Sequence, residues 1–232
     1  LWRGCVGAWN PGLGNTGLSL RDWSGGQNNG TLTNGPTWGV SDGQQALTFN
    51  GTNYVTCSRQ ITNQVNGTYT AWVRWTSQNG SVFGSTTTRS YIMLLYPSVN
   101  SIYCGDGTTN NVLWPYTPVD WDNKWKAIAV RKTGSTLEMF FEGVNQGSRP
   151  LPTITPIDFI GRGQGGTYSW GGQIDDARIY NRALSDNEIR TLAQRPGIAY
   201  ELAPRKTYFI PTATSTSQFY DILSPLIFAG TN

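Results

Sequence analysis

"WKAIAVRKTGSTLEMFFEG", Trp125–Gly143, decides how this chain is read. Two apolar-rich runs flank Thr133-Gly134-Ser135, a three-residue loop with a glycine, and that pattern reads as a β-hairpin. Runs of the same kind recur on both sides at short intervals. "QALTFNG" ends in Asn50-Gly51, a favoured hairpin turn pair, and "NYVTCS" follows directly. "TYTAWVRWTS" sets Thr70, Trp72 and Arg74 on one face against Ala71, Val73 and Trp75 on the other. "GCVGAW", "SVFGS", "SYIMLLY", "SIYCGDG", "DFIGRG" and "GQIDDARIYN" continue the series. Roughly a dozen short strands joined by tight turns define an all-β fold, a two-sheet antiparallel sandwich.

One short helix is expected near 186–194. In "LSDNEIRTLAQRPG", Ser185 is the N-cap and Glu188 completes a capping box. Asp186 suits the positive helix start, Ile189 and Leu192 form a short apolar stripe, and Pro196-Gly197 ends it. The character then changes. Residues 197–232 hold three prolines, a Thr/Ser-rich middle and an apolar end: Phe219, Tyr220, Ile222, Leu223, Leu226, Ile227 and Phe228. A solvated tail avoids so many apolar side chains. The expected organisation is a sandwich over 1–196 and an extended C-terminal docking arm over 197–232; the alternative is that this segment packs back on its own sandwich.

The composition narrows the function. The chain has 232 residues, 28 of them glycine, with 12% aromatic and 13% charged residues. That describes a β-rich globular domain. The formal charge of +3 is spread thinly, with no basic run longer than Arg131-Lys132 or Arg205-Lys206. Nucleic-acid binding, which relies on phosphate neutralisation, is not expected. No run approaches the roughly 18 apolar residues of a membrane span. Histidine is absent, which removes the commonest general base and transition-metal ligand and any Ser-His-Asp set. Cys5, Cys57 and Cys104 have no metal-ligand spacing; they are one disulfide plus a free thiol, or three buried thiols. The chain starts at Leu1 rather than Met, so either a segment was removed or the start lies upstream.

Four motifs in order, "GAW…LRDWSGGQNNGTLTNGPTW…QALTFNGTNYV", "TAWVRWTSQNGSVFG", "WKAIAVRKTGSTLEMFFEGV" and "GGQIDDARIYNRALSDNEI", resemble a laminin-G-like jelly roll of the concanavalin A-like lectin/glucanase superfamily. The resemblance covers residues 4–194 and implies two antiparallel sheets packed face to face. "LWRGCVGAW" and "RPGIAYELAPR" are similar to the flanks of such proteins from bacteriophages and aquatic bacteria. That similarity implies a virion or extracellular location. It also implies a non-catalytic structural or surface role in a multi-subunit assembly, such as capsid decoration or a tail component. The alternative is a lectin-like module that binds a surface glycan.

The resemblance also implies a role for "DWSGGQNNG". In the family this segment is an ordered loop that wraps a calcium ion or is pinned by an acid from the penultimate strand. Asp22, Asn28 and Asn29 offer oxygens to a hard cation, and Asp175 of "QIDDARIY" would add a second carboxylate. On a regular strand Asp175 shares its face with Ala177 and Ile179, opposite Asp176. Without metal, Asp175 would instead accept hydrogen bonds from the loop backbone. For glycans, two aromatic loops fit sugar C–H faces and hydroxyls. One carries Asp106, Asn110, Asn111, Trp114, Tyr116 and Trp121; the other carries Tyr168 and Trp170. The alternative is that these tryptophans plug the ends of the sandwich, since most of the ten in the chain must be core. The glucanase strand motif of alternating carboxylates has no match: Glu138 and Glu142 lack the central Asp and read as a solvated pair.

Overall fold

The computed structural model describes residues 1–62, 65–76, 79–85, 91–105, 111–117, 121, 123–151, 154, 156–163 and 167–201, and the backbone of 208–210 and 218–220. Two antiparallel sheets face each other. Sheet A runs β14 (Val144–Pro150), β13 (Thr136–Phe141), β12 (Trp125–Thr133), β7 (Asn66–Trp75), β16 (Gly171–Tyr180), β5 (Gln44–Asn50), β4 (Thr37–Ser41), with β1 (Cys5–Trp9) also on β16. Sheet B runs β11 (Asn111–Pro115), β10 (Ser101–Gly105), β9 (Tyr91–Tyr96), β8 (Gly80–Gly84), β15 (Ile157–Ile160), β6 (Tyr54–Ile61), β3 (Gly30–Thr33), β2 (Ser19–Leu20). A separate pair, β17 (Tyr208–Ile210) and β18 (Gln218–Tyr220), holds the backbone of Phe219 and Tyr220. Ile222, Leu223, Leu226, Ile227 and Phe228 lie outside the described residues.

The β12–β13 hairpin forms as read, pairing Lys132 with Leu137 and Thr133 with Thr136, so only Gly134 and Ser135 turn. Asn50-Gly51 differs from the expectation. Its flanking strands belong to different sheets, so the turn carries the chain from sheet A to sheet B and closes no hairpin. The cause is lateral competition: β5 already has β4 and β16 as neighbours, while β6 completes sheet B beside β3 and β15. The β7 alternation holds. Ala71, Val73 and Trp75 enter the core between the sheets with Trp9, Leu47, Phe83, Ile92, Val130 and Ile179. All three cysteines carry free thiols; Cys57 and Cys104 are buried and Cys5 partly so. Burial pushes the Cys104 thiol up to about 12 and the Cys5 thiol to about 11, which leaves both inert at neutral pH.

A second cluster covers the outer face of sheet A. Helix α1 (Asp186–Leu192) starts on the expected capping box, with the Ser185 side chain accepting from Glu188 N and the Glu188 carboxylate accepting from Ser185 N. Ile189 and Leu192 pack with Ala129, Phe140, Tyr180 and Leu184. Arg131 stitches the helix start to the sheet, at 2.6 Å from Asp186 and 2.7 Å from Glu138. A further short helix, α2 (Ile198–Glu201), buries Ile198 and Ala199 in the same cluster. The boundary expected at 196/197 therefore falls inside this packing, and the body continues through α2.

Strand β16 is not regular. Asp176 adopts φ 45°, and the register against β7 shifts between Asp175 and Arg178. This bulge resets the alternation. Ile174, Ala177 and Ile179 all face the core, while Tyr180 packs in the outer cluster. Asp175 therefore does not share the face of Ala177 and Ile179; it turns outward with Asp176 and Arg178. Asp176 and Arg178 pair there, Nε to Oδ1 at 2.8 Å, with Arg178 fully buried and Asp176 2% exposed. The Arg178 guanidinium lies over the rings of Trp2 (4.8 Å) and Tyr200 (4.6 Å), and Trp2 Nε1 donates to Ala199 O at 3.0 Å. The first residues and α2 thus close over one buried ion pair.

Candidate glycan-binding face and the Asp22 loop

The Asp22 loop is ordered by hydrogen bonds. Asp22 Oδ1 accepts from Ala8 N (2.9 Å) and Ser24 N (2.8 Å), and Oδ2 accepts from Asn28 N and Ser24 Oγ (both 2.9 Å). Asn28 Oδ1 accepts from Arg59 N (2.7 Å) and Ser58 Oγ (3.1 Å), while its carbonyl receives Trp9 Nε1 (2.9 Å). Asn29 Oδ1 accepts from Asp22 N at 2.9 Å. The glycines and asparagines wrap a buried carboxylate and the edge of a core tryptophan. The four residues expected to hold calcium do not fit that ion. The side-chain oxygens of Asp22, Asn28 and Asn29 already have donors, and Asp175 serves a different turn.

Asp175 accepts from Gln44 Nε2 at 3.0 Å, from Asp176 N at 2.7 Å and from the backbone of Gly12. Burial first, and then the adjoining Asp176 charge, push its carboxyl up to about 7. The folded state therefore holds a proton that the unfolded chain releases near pH 4. Between those values the native state binds more protons, so stability falls as pH rises, by about 1.4 kcal/mol per pH unit at most. Urea unfolding at pH 5 and pH 8 is expected to show the wild type weaker at pH 8, and Asp175→Asn to lose most of that difference. A wild type equally stable at both values would show that Asp175 is ionised throughout.

The aromatic loops resolve into core and surface. Trp114 and Trp170 are fully buried members of the central core, and Trp114 Nε1 donates to Gly147 O at 3.2 Å. Tyr116 (8% exposed) and Trp121 (5%) pack against each other at 5.5 Å, with Phe141 at 5.2 Å from Trp121. No face of these four rings is open to a sugar. Of the two sequence readings, sugar contact and sandwich plug, the packing gives the plug. Asp106 and Asn110 lie outside the described residues. Tyr168 alone of the expected aromatics is half-buried with an open side.

Tyr168 has company that the sequence does not indicate. Residues 161–163 and 167–170, joined by Arg162 pairing with Ser169, lie against β8, with Gly161 N donating to Val82 O and Ser81 N to Tyr168 O. Gly84 permits that approach: a Cβ there would sit 2.3 Å from Arg162 O. Tyr168 then meets Tyr91 at 5.9 Å and Tyr96 at 6.1 Å, and Tyr96 meets Tyr103 at 5.7 Å, all edge to face. Tyr96, Tyr103 and Tyr168 are half-exposed, and the Tyr91 hydroxyl lies 3.0 Å from Asn111 Oδ1. On the other flank, Arg162 stacks on Tyr54 at 4.1 Å. Neither Glu138 nor Glu142 belongs to this face. Glu138 is held by Arg131 and Asn145, and Glu142 accepts Ala127 N at 2.6 Å. Both carboxylates serve the fold.

Two antiparallel sheets packed face to face place the chain in the jelly-roll sandwich class. Residues 49–190 match a laminin-G model described as the concanavalin A-like lectin/glucanases superfamily, and the chain belongs to that superfamily. A search of the curated proteins finds no significant match. Among solved structures, the chain is similar to domain 4 of AbnA, an extracellular arabinanase of family GH43 from Geobacillus stearothermophilus, in complex with arabinotriose. The TM-score is 0.65 at 18% identity, over 82% of this chain and 98% of that domain. It is also similar to the binding domain of Paraclostridial Mosquitocidal Protein 1, with TM-score 0.59 and 16% identity over 83% of this chain and 52% of that one. A third is the binding domain of botulinum neurotoxin DC in complex with SialylT, with TM-score 0.56 and 12% identity over 83% and 51%. The chain spans about half of each toxin domain. At these identities the likeness speaks for the fold.

Proposed function

We propose that this chain is a non-catalytic glycan-binding module of an extracellular protein. The observation that carries the reading is the row of edge-to-face tyrosines on the outer face of sheet B. Sugars present C–H patches beside hydroxyls, and a tyrosine offers a ring face and a hydroxyl together. The arabinotriose complex of the AbnA domain, matched over nearly its whole length, supports the same reading. Among the described residues no helix is long and apolar enough to cross a membrane.

The test is retention on a glycan array and by immobilised arabinan. Tyr96→Ala and Tyr168→Ala are each expected to weaken retention roughly tenfold, with an unchanged melting temperature because both rings are half-exposed. Undiminished retention in both variants would remove this face as the site. The reading as a virion component anchored by residues 197–232 stands behind this one. The matched structures named above are two binding domains and a domain of an enzyme, and its arm falls largely outside the described residues.

A further inference from the structure

We infer that the cleft beside the Asp22 loop is a second saccharide site, one that selects a sugar bearing a carboxylate. The inference rests on the glycan-binding reading and adds a charge requirement at a different place. The cleft has a volume of about 550 Å³ and is bordered by Thr16, Ser19, Arg21, Trp23, Gln27 and Asn29, and by Asp22, whose carboxylate is taken up by four donors within the fold. It lies on the loop rather than on the tyrosine face.

Three features converge there. The first is a fixed aromatic surface. Trp23 is half-buried, its backbone N donates to Ala8 O at 2.7 Å, and its ring meets Tyr200 edge to face at 6.5 Å. The second is a cation held ready. The exposed Arg21 guanidinium stacks over the Trp23 ring at 4.2 Å, and no carboxylate pairs with it among the described residues. Stacking holds the planar fork in one orientation and leaves its N–H groups free to meet a carboxylate.

The third feature is the imbalance of donors over acceptors. The loop consumes its own acceptors: each Asp22 oxygen takes two donors, and Asn29 Oδ1 takes Asp22 N. Left over are the Arg21 fork, Trp23 Nε1 and Asn29 Nδ2, which can only donate, with Gln27 and the Thr16 and Ser19 hydroxyls able to do both. A ligand that satisfies this set must bring acceptors, and a carboxylate is the acceptor that fits a guanidinium fork in two parallel bonds. The C–H face of a sugar ring would fill the apolar side of the cleft against Trp23. A hexuronic or sialic acid residue within a glycan has both parts.

The experiment is titration calorimetry of the full chain against galacturonate, glucuronate and sialate oligosaccharides, each beside its methyl ester, with neutral glycans in parallel. The ester keeps the sugar and removes the charge. At least one acid is expected to bind tenfold or more tightly than its ester. Arg21→Gln, an exposed change, should abolish that preference, and Tyr168→Ala should leave it intact. Equal affinity for acid and ester, a preference that survives Arg21→Gln, or one lost with Tyr168→Ala would each overturn the inference. Neutral glycans bound through Tyr168 with no acid preference would overturn it while the glycan-binding reading stands. A chain that retains neither acidic nor neutral glycans would overturn both.

Discussion

Asp176→Asn is expected to destabilise the domain by about 3–5 kcal/mol, because it leaves Arg178 buried and charged without its counter-ion. Asn is the informative replacement: it keeps the size of the side chain and tolerates the positive φ of 45° that the bulge imposes. Two further contacts weaken with it, since Asp176 Oδ2 accepts Gly197 N at 2.9 Å and Oδ1 lies 3.5 Å from Asn10 Nδ2. Arg178→Met alone should cost less. It removes the buried charge that most needs a partner, while Gly197 N still serves Asp176. The double variant Asp176→Asn/Arg178→Met should be more stable than Asp176→Asn alone, because no buried charge remains unpaired. Urea unfolding followed by circular dichroism reads all three. A loss under about 1 kcal/mol for Asp176→Asn would show that water reaches Arg178 in solution.

Trp170→Ala is expected to cost about 3–5 kcal/mol and to lower the melting temperature sharply, since it empties a fully buried indole site in the core. The neighbourhood cannot easily collapse. Trp170 N donates to Gly161 O at 2.8 Å and its carbonyl accepts Gly51 N at 2.9 Å, so the backbone is pinned on both sides. Gly80 lies against it so closely that a Cβ there would come within 2.8 Å of Trp170 Cα. Any glycan retention lost in this variant would therefore follow from unfolding. Trp170→Phe should keep a folded domain with retention intact. If Trp170→Ala instead melted like the wild type yet lost retention, the ring would be a ligand contact and not a core plug.

The strands and the helix were legible in the sequence because their patterns are local. Ala71, Val73 and Trp75 alternate without interruption, and Ser185 with Glu188 forms its cap within four residues. What failed was parity across bulges. Tyr91 and Tyr96 are five residues apart, so strict alternation puts them on opposite faces. Met93 at φ 58°, with a register shift against β10, brings both to the tyrosine row. The same event at Asp176 moved Asp175 away from the face of Ala177 and Ile179. A bulge is set by the partner strand, which a linear reading does not contain. Burial was legible only as one of two readings. Trp114 and Trp170 lie in segments that suit either a sugar contact or a plug at the sandwich end, and the tertiary packing makes them plugs.

The closure over Arg178 has a mechanical consequence. Trp2 and Ala199 touch, so a polypeptide entering at residue 1 and one leaving after residue 201 do so at neighbouring points on the outer face of sheet A. A pull between those points peels Trp2 and Tyr200 off the guanidinium before it loads any sheet hydrogen bond outside β1. The tyrosine row, on the outer face of sheet B, lies on the far side of the sandwich and outside that line of tension. A domain tethered in this way presents its aromatic face outward and yields first at its attachment.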